Sequence, residues 1–246
     1  MRCFQNHDYA NFAPGQKRWE ETYGLSLNDA LLVTLFTLDG VPMVYNGQEI
    51  ADTAPHSIWS NRFHGKWGID WSRAFTPEGG HRLALVRALG RLRHDRPSFF
   101  DAPTEFIATP YPHELYAFRR PLADGTEWLT AVNISGKDLV VTVPAGFHAF
   151  LAGPGTTLDA VTGRLRLPPQ SWMLGAKGVP ELVRLPRGAQ LPEARFLPTY
   201  GSAHGAASCA ARPVPAFLRG SVMYQLFTRM FTPEGTFAAA RAKLPQ

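Results

Sequence analysis

The chain has 246 residues, 45% of them hydrophobic, and a formal net charge of +5 at pH 7. This ordinary globular composition excludes a chain that is disordered throughout and allows one large core or two smaller ones. Arginines are scattered and no run of five or more like charges occurs, so we expect no nucleic-acid partner. No apolar run reaches the ~18 residues of a membrane span, so we expect no membrane partner, and the compartment stays open. Cys3 and Cys209 offer neither a disulfide framework nor a metal knuckle.

The first part of the chain predicts one strand, loop, helix and strand in succession. These are a short strand over residues 2 to 7, a polar loop over 9 to 24, a helix, and a buried strand over 41 to 45. Ser26 and Asp29 form a capping box at the start of the helix, and Gly40 stands where its left-handed C-terminal cap belongs. The short, continuous apolar run after Gly40 is typical of a buried parallel strand. This order favours a parallel sheet with helices outside it.

A long loop from Asn46 to about Gly79 carries three tryptophans and two histidines, and a second amphipathic helix follows over about 80 to 93. The apolar face of this helix is formed by Leu85, Leu89 and Leu92. Its arginines are expected on the other faces: Arg82, Arg87, Arg91 and Arg93. Pro97 ends the helix.

From Thr104 the hydrophobic period changes to two, which is typical of strands. The predicted strands cover 105–108, 114–118, 128–132 and 139–143, with turn-rich stretches between them. They predict an antiparallel β-sandwich that closes near Leu174. The following residues are rich in Pro, Gly, Ala and Ser and are interpreted as a linker.

Four features, in this order, resemble the α-amylase family of glycoside hydrolases. They are Phe4-Gln5-Asn6-His7-Asp8, the run Gly40-Val41-Pro42-Met43-Val44-Tyr45-Asn46-Gly47-Gln48-Glu49, the sandwich after the helix, and Tyr224-Gln225-Leu226-Phe227 with its Thr-Pro-Glu-Gly-Thr-Phe continuation. In that family the first two motifs belong to strands seven and eight of a (β/α)8 barrel. The resemblance implies an α/β plus all-β fold: a partial (β/α)8 TIM barrel, holding its last two βα units and a copy of its first strand, with an antiparallel β-sandwich.

The resemblance implies four regions and a chain that is a fragment. They are the C-terminal part of the barrel (1–100), the β-sandwich (101–177), the linker (178–217) and the first strand and helix of a barrel (218–246). A permuted order would place the last region beside residues 41–45 and extend the sheet to strands 7, 8 and 1. We favour a tandem protein or a broken reading frame, in which a second catalytic domain begins at about Leu218, because permutation alone would keep strands two to six.

The resemblance also assigns the site. Asp8 matches the family's third carboxylate, which binds sugar hydroxyls and helps to stabilise the developing charge, and His7 matches its hydroxyl-binding histidine. Apart from the resemblance, Trp59 is a candidate platform for a sugar ring, because it is the loop tryptophan nearest the strand end and an aromatic face suits the apolar side of a pyranose. Glu49 receives a structural role at its strand end. The nucleophile and the acid/base belong to strands four and five, which this chain lacks, so we expect it to be inactive alone.

Other interpretations of these residues stay open. An Asn-His-Asp triplet also suits a capped turn, and three tryptophans in one loop also suit a small core of their own. His56 and His64 lack the spacing of a metal site. Calcium is common in the family, but its usual ligands lie largely in segments that are missing here, so we predict no metal and no cofactor.

The resulting functional prediction is a retaining α-glycosidase of carbohydrate metabolism, a hydrolase acting on α-glucosidic bonds of an α-glucan or oligosaccharide. The alternative is a noncatalytic carbohydrate-binding protein whose sandwich and tryptophan-bearing loop hold a glucan. Because a three-strand arc has two free edges, the missing part of the barrel is a predicted partner. The individual glucoside, and hydrolysis as opposed to glucosyl transfer, stay open.

Overall fold

The computed structural model describes residues 2–6, 17–54, 69–179, 220–226 and 231–243. Its helices are α1 (Trp19–Thr37), α2 (Pro77–Asp95) and α3 (Phe237–Lys243). Its strands are β1 (Met43–Tyr45), β2 (Glu105–Phe106), β3 (Leu115–Pro121), β4 (Glu127–Asn133), β5 (Leu139–Thr142), β6 (His148–Ala152), β7 (Thr157–Leu158), β8 (Arg164–Leu167), β9 (Trp172–Lys177) and β10 (Met223–Gln225). Short 3-10 turns cover Gln48–Ile50, Trp71–Phe75 and Pro97–Phe100. None of these helices is long and apolar enough to cross a membrane.

Three segments lie side by side in a parallel arc with β1 at its centre. β10 pairs with β1 in parallel, with Tyr45 opposite Gln225. On the other side of β1, Arg2 forms a parallel bridge with Pro42. This is the neighbourhood that the permuted order predicts, and the choice between a permuted piece and a second domain from about Leu218 stays a prediction. The four domain limits stay predictions.

Helix α1 begins earlier than its sequence pattern indicates. It starts at Trp19, so the loop prediction over 9 to 24 is wrong for its last part, and Gly24, at φ 77°, interrupts the helical backbone. The Asn28 side chain spans this break by donating to the carbonyls of Trp19 at 2.9 Å and Gly24 at 2.8 Å. The Asp29 carboxylate is directed to α2, as described below. Gly40 has the predicted left-handed backbone, with φ 76°.

Helix α2 begins at Pro77, where Thr76 caps it by accepting a hydrogen bond from the Gly79 amide at 3.1 Å. It ends at Asp95, before Pro97, as predicted. Leu85, Leu89 and Leu92 are buried, which confirms the predicted apolar face. The placement of the arginines is only partly correct, because two of them are fully buried: Arg82 and Arg93. Both reach carbonyl or carboxylate oxygens that replace water.

The second half of the chain forms two antiparallel sheets. One has the order β2-β3-β4-β9-β6 and the other β5-β8-β7. They share a hydrophobic core to which β3, β4 and β9 contribute on one side and β5 and β8 on the other: Leu115, Ala117, Leu129, Ala131, Met173, Leu139, Val141, Leu165 and Leu167. Strands β6, β7, β8 and β9 add to the four that periodicity indicated, and β9 covers the predicted closing point near Leu174.

Helix α1 joins the parallel arc to the five-stranded sheet. The second face of the five-stranded sheet contributes Trp128, Trp172 and Leu174 to the same core as Phe36 of α1 and three leucines of α2: Leu85, Leu89 and Leu92. Such a continuous core fixes the position of α1 behind the parallel arc, and so fixes the residues at the strand ends.

Candidate active site

The carboxyl ends of the three parallel segments meet at one edge, which is where barrel enzymes carry their active sites. Gln5 and Asn6 lie at this end of the first segment, Asn46 directly follows β1, and Gln225 ends β10. The structure therefore brings the described part of the first strand-end motif to the same edge as the second motif.

The three predicted site residues lie outside the residues that the structure describes: His7, Asp8 and Trp59. Their roles stay predictions. Of the Asn-His-Asp motif, the structure describes Asn6.

A sharp turn follows β1 and depends on Gly47. Its φ is 89°, a left-handed value that disfavours a side chain. A Cβ atom there would lie 3.0 Å from the Asp52 Cβ and 3.2 Å from Arg18 Nη2. Gln48 closes the turn by accepting a hydrogen bond from the Tyr45 amide at 2.7 Å. The glycine of this motif is therefore required both for its backbone and for its small volume.

Arg18 lies beside this turn and is fully buried. Its Nη1 donates to the Asn46 carbonyl at 3.2 Å, and its guanidinium carbon lies 5.1 Å from the centre of the Tyr45 ring. Its Nε lies 3.9 Å from the Glu20 carboxylate. The charge is thus partly balanced by one acidic group and one aromatic face, which keeps a cation directly behind the strand end.

A second buried arginine, Arg82, connects α1, α2 and the turn. It donates to Asp29 Oδ1 at 2.5 Å, to Glu20 Oε1 at 3.1 Å and to the Gln48 carbonyl at 3.1 Å. The other Asp29 oxygen lies 2.7 Å from Nε2 of His81, which raises the pKa of His81 because hydrogen bonding to Asp29 favours its charged form. Asp29 is therefore a partner of two α2 side chains, and its predicted role in a capping box is not the one observed.

Sequence analysis missed Arg18 and Arg82 as parts of this site. A signal for Arg82 was present, because it precedes Leu85 by three residues and so falls on the apolar face of α2. No local pattern marks Arg18, whose burial follows from the turn that packs on it.

Glu49 is bonded to the terminal strand. The Tyr224 hydroxyl donates to Glu49 Oε1 at 2.5 Å. Burial raises the pKa of the Glu49 carboxyl, although the Tyr224 hydrogen bond and the positive charge of Arg18 act in the opposite direction. Burial and the negative charge of Glu49 raise the pKa of Tyr224 well above its ordinary value. This contact between neighbouring strands is compatible with the structural role that the resemblance implies for Glu49.

Buried polar atoms without a hydrogen-bond partner are concentrated at this edge of the described structure. They are both amide atoms of Gln5, both amide atoms of Asn46, Nε and Nη2 of Arg18, Nε2 of Gln48 and Oε2 of Glu49. A buried polar group without a partner costs about 1–3 kcal/mol. Such a concentration is typical of a place that contacts a polar ligand or another polypeptide.

The acidic side chains around this edge, within the described ranges, already have partners. Glu20 and Asp29 bind Arg82, Glu49 accepts from Tyr224, and Asp52 accepts from the Ala54 amide at 3.0 Å. The same part of the chain contains no group of three or more His, Cys, Asp or Glu side chains that could hold a metal ion. The prediction that no metal or cofactor is bound stays untested.

No family model matches the sequence, and no curated protein sequence matches it. Solved structures do resemble it: a candidate alpha-amylase from Salmonella typhimurium (TM-score 0.54, 18% identity), trehalose-6-phosphate hydrolase from Bacillus licheniformis (0.53, 17%) and the isomaltulose synthase SmuA from Protaminobacter rubrum (0.52, 14%). Each match covers 71% of this chain, which spans 34%, 42% and 42% of those proteins, respectively. Over the part of these enzymes that it spans, the chain has the fold of the α-amylase family of glycoside hydrolases, as its strand-end motifs predicted.

Proposed function

We propose that the chain contributes the seventh and eighth strands of a retaining glycoside hydrolase that acts on α-glucosidic bonds of an α-glucan or oligosaccharide. The observation that carries this proposal is the cluster of buried polar atoms without partners at the carboxyl ends of adjoining parallel segments, Gln5 and Asn46 above all. The similarity to barrel glycoside hydrolases supports the same edge as the place of chemistry.

In this proposal Asp8 and His7 bind sugar hydroxyls. Hydrogen bonds that strengthen as the oxocarbenium-like transition state forms lower the barrier, and Asp8 adds a negative charge beside the developing positive one. Trp59 stacks on the apolar side of a sugar ring. Arg18 and Arg82 act through position: they hold the turn after β1 against α1, so the strand-end side chains keep their places.

Retention requires two carboxyl groups about 5 Å apart, one as nucleophile and one as acid/base. The described acidic side chains near the strand ends are engaged in hydrogen bonds, and Glu20 and Asp29 are held by the same arginine. We therefore propose that the pair comes from polypeptide outside this chain, and that the chain alone releases no sugar.

The test measures glucose and maltose release from maltooligosaccharides. The chain is assayed alone and after assembly with a polypeptide that supplies the other barrel strands, with assembly verified by size-exclusion chromatography. We expect release only from the assembled protein, and its loss in Asp8→Asn but not in the matched surface variant Asp95→Asn. A stable assembly without release, or release that survives Asp8→Asn, would contradict the proposal. Release by the isolated chain would contradict its dependence on added strands.

The second candidate is a noncatalytic carbohydrate-binding protein. It is favoured by the pairing of the described acidic side chains, which leaves no carboxylate pair open at this edge of the described structure. Isothermal titration with maltoheptaose on the same preparations separates the two candidates. Binding by a stable assembly that releases no sugar would favour the second.

A further inference from the structure

A groove of about 470 Å³ lies at the opposite end of the parallel arc from the candidate active site. One wall carries Arg2, at the start of the first segment, and Asp39, which precedes β1. The other wall carries Phe106 of the edge strand β2 and Tyr116 of β3, and Thr104 also lines it. The groove therefore lies at the junction between the barrel part and the five-stranded sheet.

The aromatic wall is formed by rings in mutual contact and is exposed. The ring centres of Phe106 and Tyr116 are 5.5 Å apart, and both rings pack on Phe118, at 6.2 Å and 5.5 Å. Phe118 is fully buried, whereas Phe106 is 64% exposed and Tyr116 is 37% exposed. A buried ring thus anchors two rings that leave their outer surfaces open to solvent. Grouped exposed aromatic surface of this kind marks binding sites.

The opposite wall offers donors and acceptors. Arg2 donates to the Asp39 carbonyl at 3.0 Å and to its carboxylate at 2.6 Å, and both side chains are nearly half exposed. A guanidinium has five N–H donors and a carboxylate has two oxygens, so this pair can still bind neighbouring hydroxyls. Thr104 adds a buried hydroxyl without a hydrogen-bond partner within the described structure.

We propose that this groove binds a pyranose ring of an α-linked glucan, at a site separate from the strand ends. A pyranose has an apolar C–H side, which suits the Phe106 and Tyr116 rings, and a rim of hydroxyls, which suits the Arg2–Asp39 pair. The volume lies within the ~300–1,000 Å³ that is usual for small-ligand sites. That the pyranose belongs to an α-glucan, as opposed to another sugar, rests on the proposed function.

The experiment measures maltoheptaose affinity by isothermal titration, in the full chain carrying Asp8→Asn so that the strand-end site is altered in every sample. The variants are the double substitution Phe106→Ala with Tyr116→Ala, and Asp39→Asn. Phe75→Ala is the matched control, since Phe75 is 93% exposed and does not line this groove. We expect the double variant to lose about tenfold in affinity, Asp39→Asn a few-fold, and Phe75→Ala nothing. Circular dichroism verifies that each variant is folded.

The outcomes separate this inference from the proposed function. Unchanged affinity in the folded double variant, or an equal loss in Phe75→Ala, overturns the groove as a sugar site. A change from dimer to monomer in the double variant, without an effect on maltoheptaose, identifies the groove as a contact between two copies and also overturns it. The titration and the release assay can also give different answers. If maltoheptaose affinity depends on Phe106 and Tyr116 but the assembled protein with Asp8 intact releases no sugar, the groove is supported and only the catalytic proposal is contradicted.

Discussion

The two ends of α1 and of the strands beside it differ in how their buried polar groups are paired. At the amino end of the strands, Arg120 donates to the carbonyl of Thr37 at 2.7 Å and to those of Phe99 and Ala102 at 2.9 Å and 2.5 Å. Arg93 donates to the carbonyls of Leu38 and Gly40 at the same end. At the carboxyl end, whole side-chain amides are buried without partners.

The two buried arginines at the amino end of the strands, Arg93 and Arg120, stabilise the fold. Two guanidinium groups near the C-terminus of a helix oppose the partial negative charge of its last carbonyls, which stabilises the helix. Burial lowers the pKa of Arg93 to about 10, so its guanidinium stays charged at neutral pH. The Thr130 hydroxyl also donates to that of Thr37 at 2.9 Å, which ties the five-stranded sheet to the same point.

The carboxyl end is built differently, because its buried polar groups are placed to contact a polar ligand or another polypeptide. Side chains that are placed for binding often lower the stability of the folded protein, and replacing them often raises that stability. The comparison therefore predicts effects of opposite sign at the two ends of the same helix layer.

The largest expected effect is at the arginine end. Arg120→Met removes the donors for several buried carbonyls, and we expect a loss of about 3–5 kcal/mol in the free energy of unfolding. The control is Arg119→Met at the next position of β3, where a 40% exposed side chain pairs with Glu105, and the expected loss is below about 1 kcal/mol. Urea unfolding followed by circular dichroism measures both. Equal losses in the two variants would contradict the structural role of the buried arginine.

The opposite sign is expected at the strand ends. Gln5→Met replaces a fully buried amide that has no partner for either atom, and we expect a gain of about 1–2 kcal/mol in unfolding free energy. Gln48→Met is the matched control, because Gln48 accepts from the Tyr45 amide and its loss should destabilise by about 1–2 kcal/mol. Urea midpoints of the two variants should move in opposite directions. If both midpoints move downwards, Gln5 has a partner that stabilises it, and the predicted difference in sign between the two ends is wrong.

A smaller gain is expected from Glu49→Gln. The folded state raises the pKa of Glu49 above its ordinary value of 4.5, so folding favours the protonated acid and stability falls as pH rises through the raised pKa. Gln keeps an acceptor for Tyr224 without the charge, so we expect a gain of about 1 kcal/mol at pH 8 and none at pH 4. The exposed Glu21→Gln serves as control. A gain that is equal at both pH values would show that the charge of Glu49 is not its cause.

The sequence predicted elements better than long-range contacts. Periodicity and breakers located β1, α2 and the main strands of the second half, because these signals are local. Asp29 and Arg82 were placed at a helix cap and on a polar face, since charged residues are rarely fully buried unless they are paired. Their pairing across 53 positions, like that of Tyr224 with Glu49 across 175, depends on how the elements pack.

The sequence predicted where the candidate site lies, but not which buried side chains surround it. Two strand-end motifs located one edge, and the structure shows that edge with Gln5 and Asn46 on it. The arginines behind it carry no motif of their own. Asp8 was assigned through family resemblance. The chemistry of a carboxylate depends on the groups that face it, so the contribution of Asp8 is decided by the release assay and not by the resemblance.

The smallest expected effect concerns His81. Its folded pKa is raised above about 6.5, chiefly by the hydrogen bond to Asp29, so its stabilising contribution is fully present below the ordinary value and is lost as pH rises through the raised pKa. Because the side chain is 46% exposed, we expect His81→Gln to lose only a few tenths of a kcal/mol at pH 5.5 and nothing at pH 8.5. His94→Gln, at an 84% exposed site, is the control. Arg82 also donates to Asp29, so the strand-end turn should survive the loss of the imidazole charge. A loss of several kcal/mol at pH 5.5 would mean that His81, and not Arg82, holds Asp29 in place.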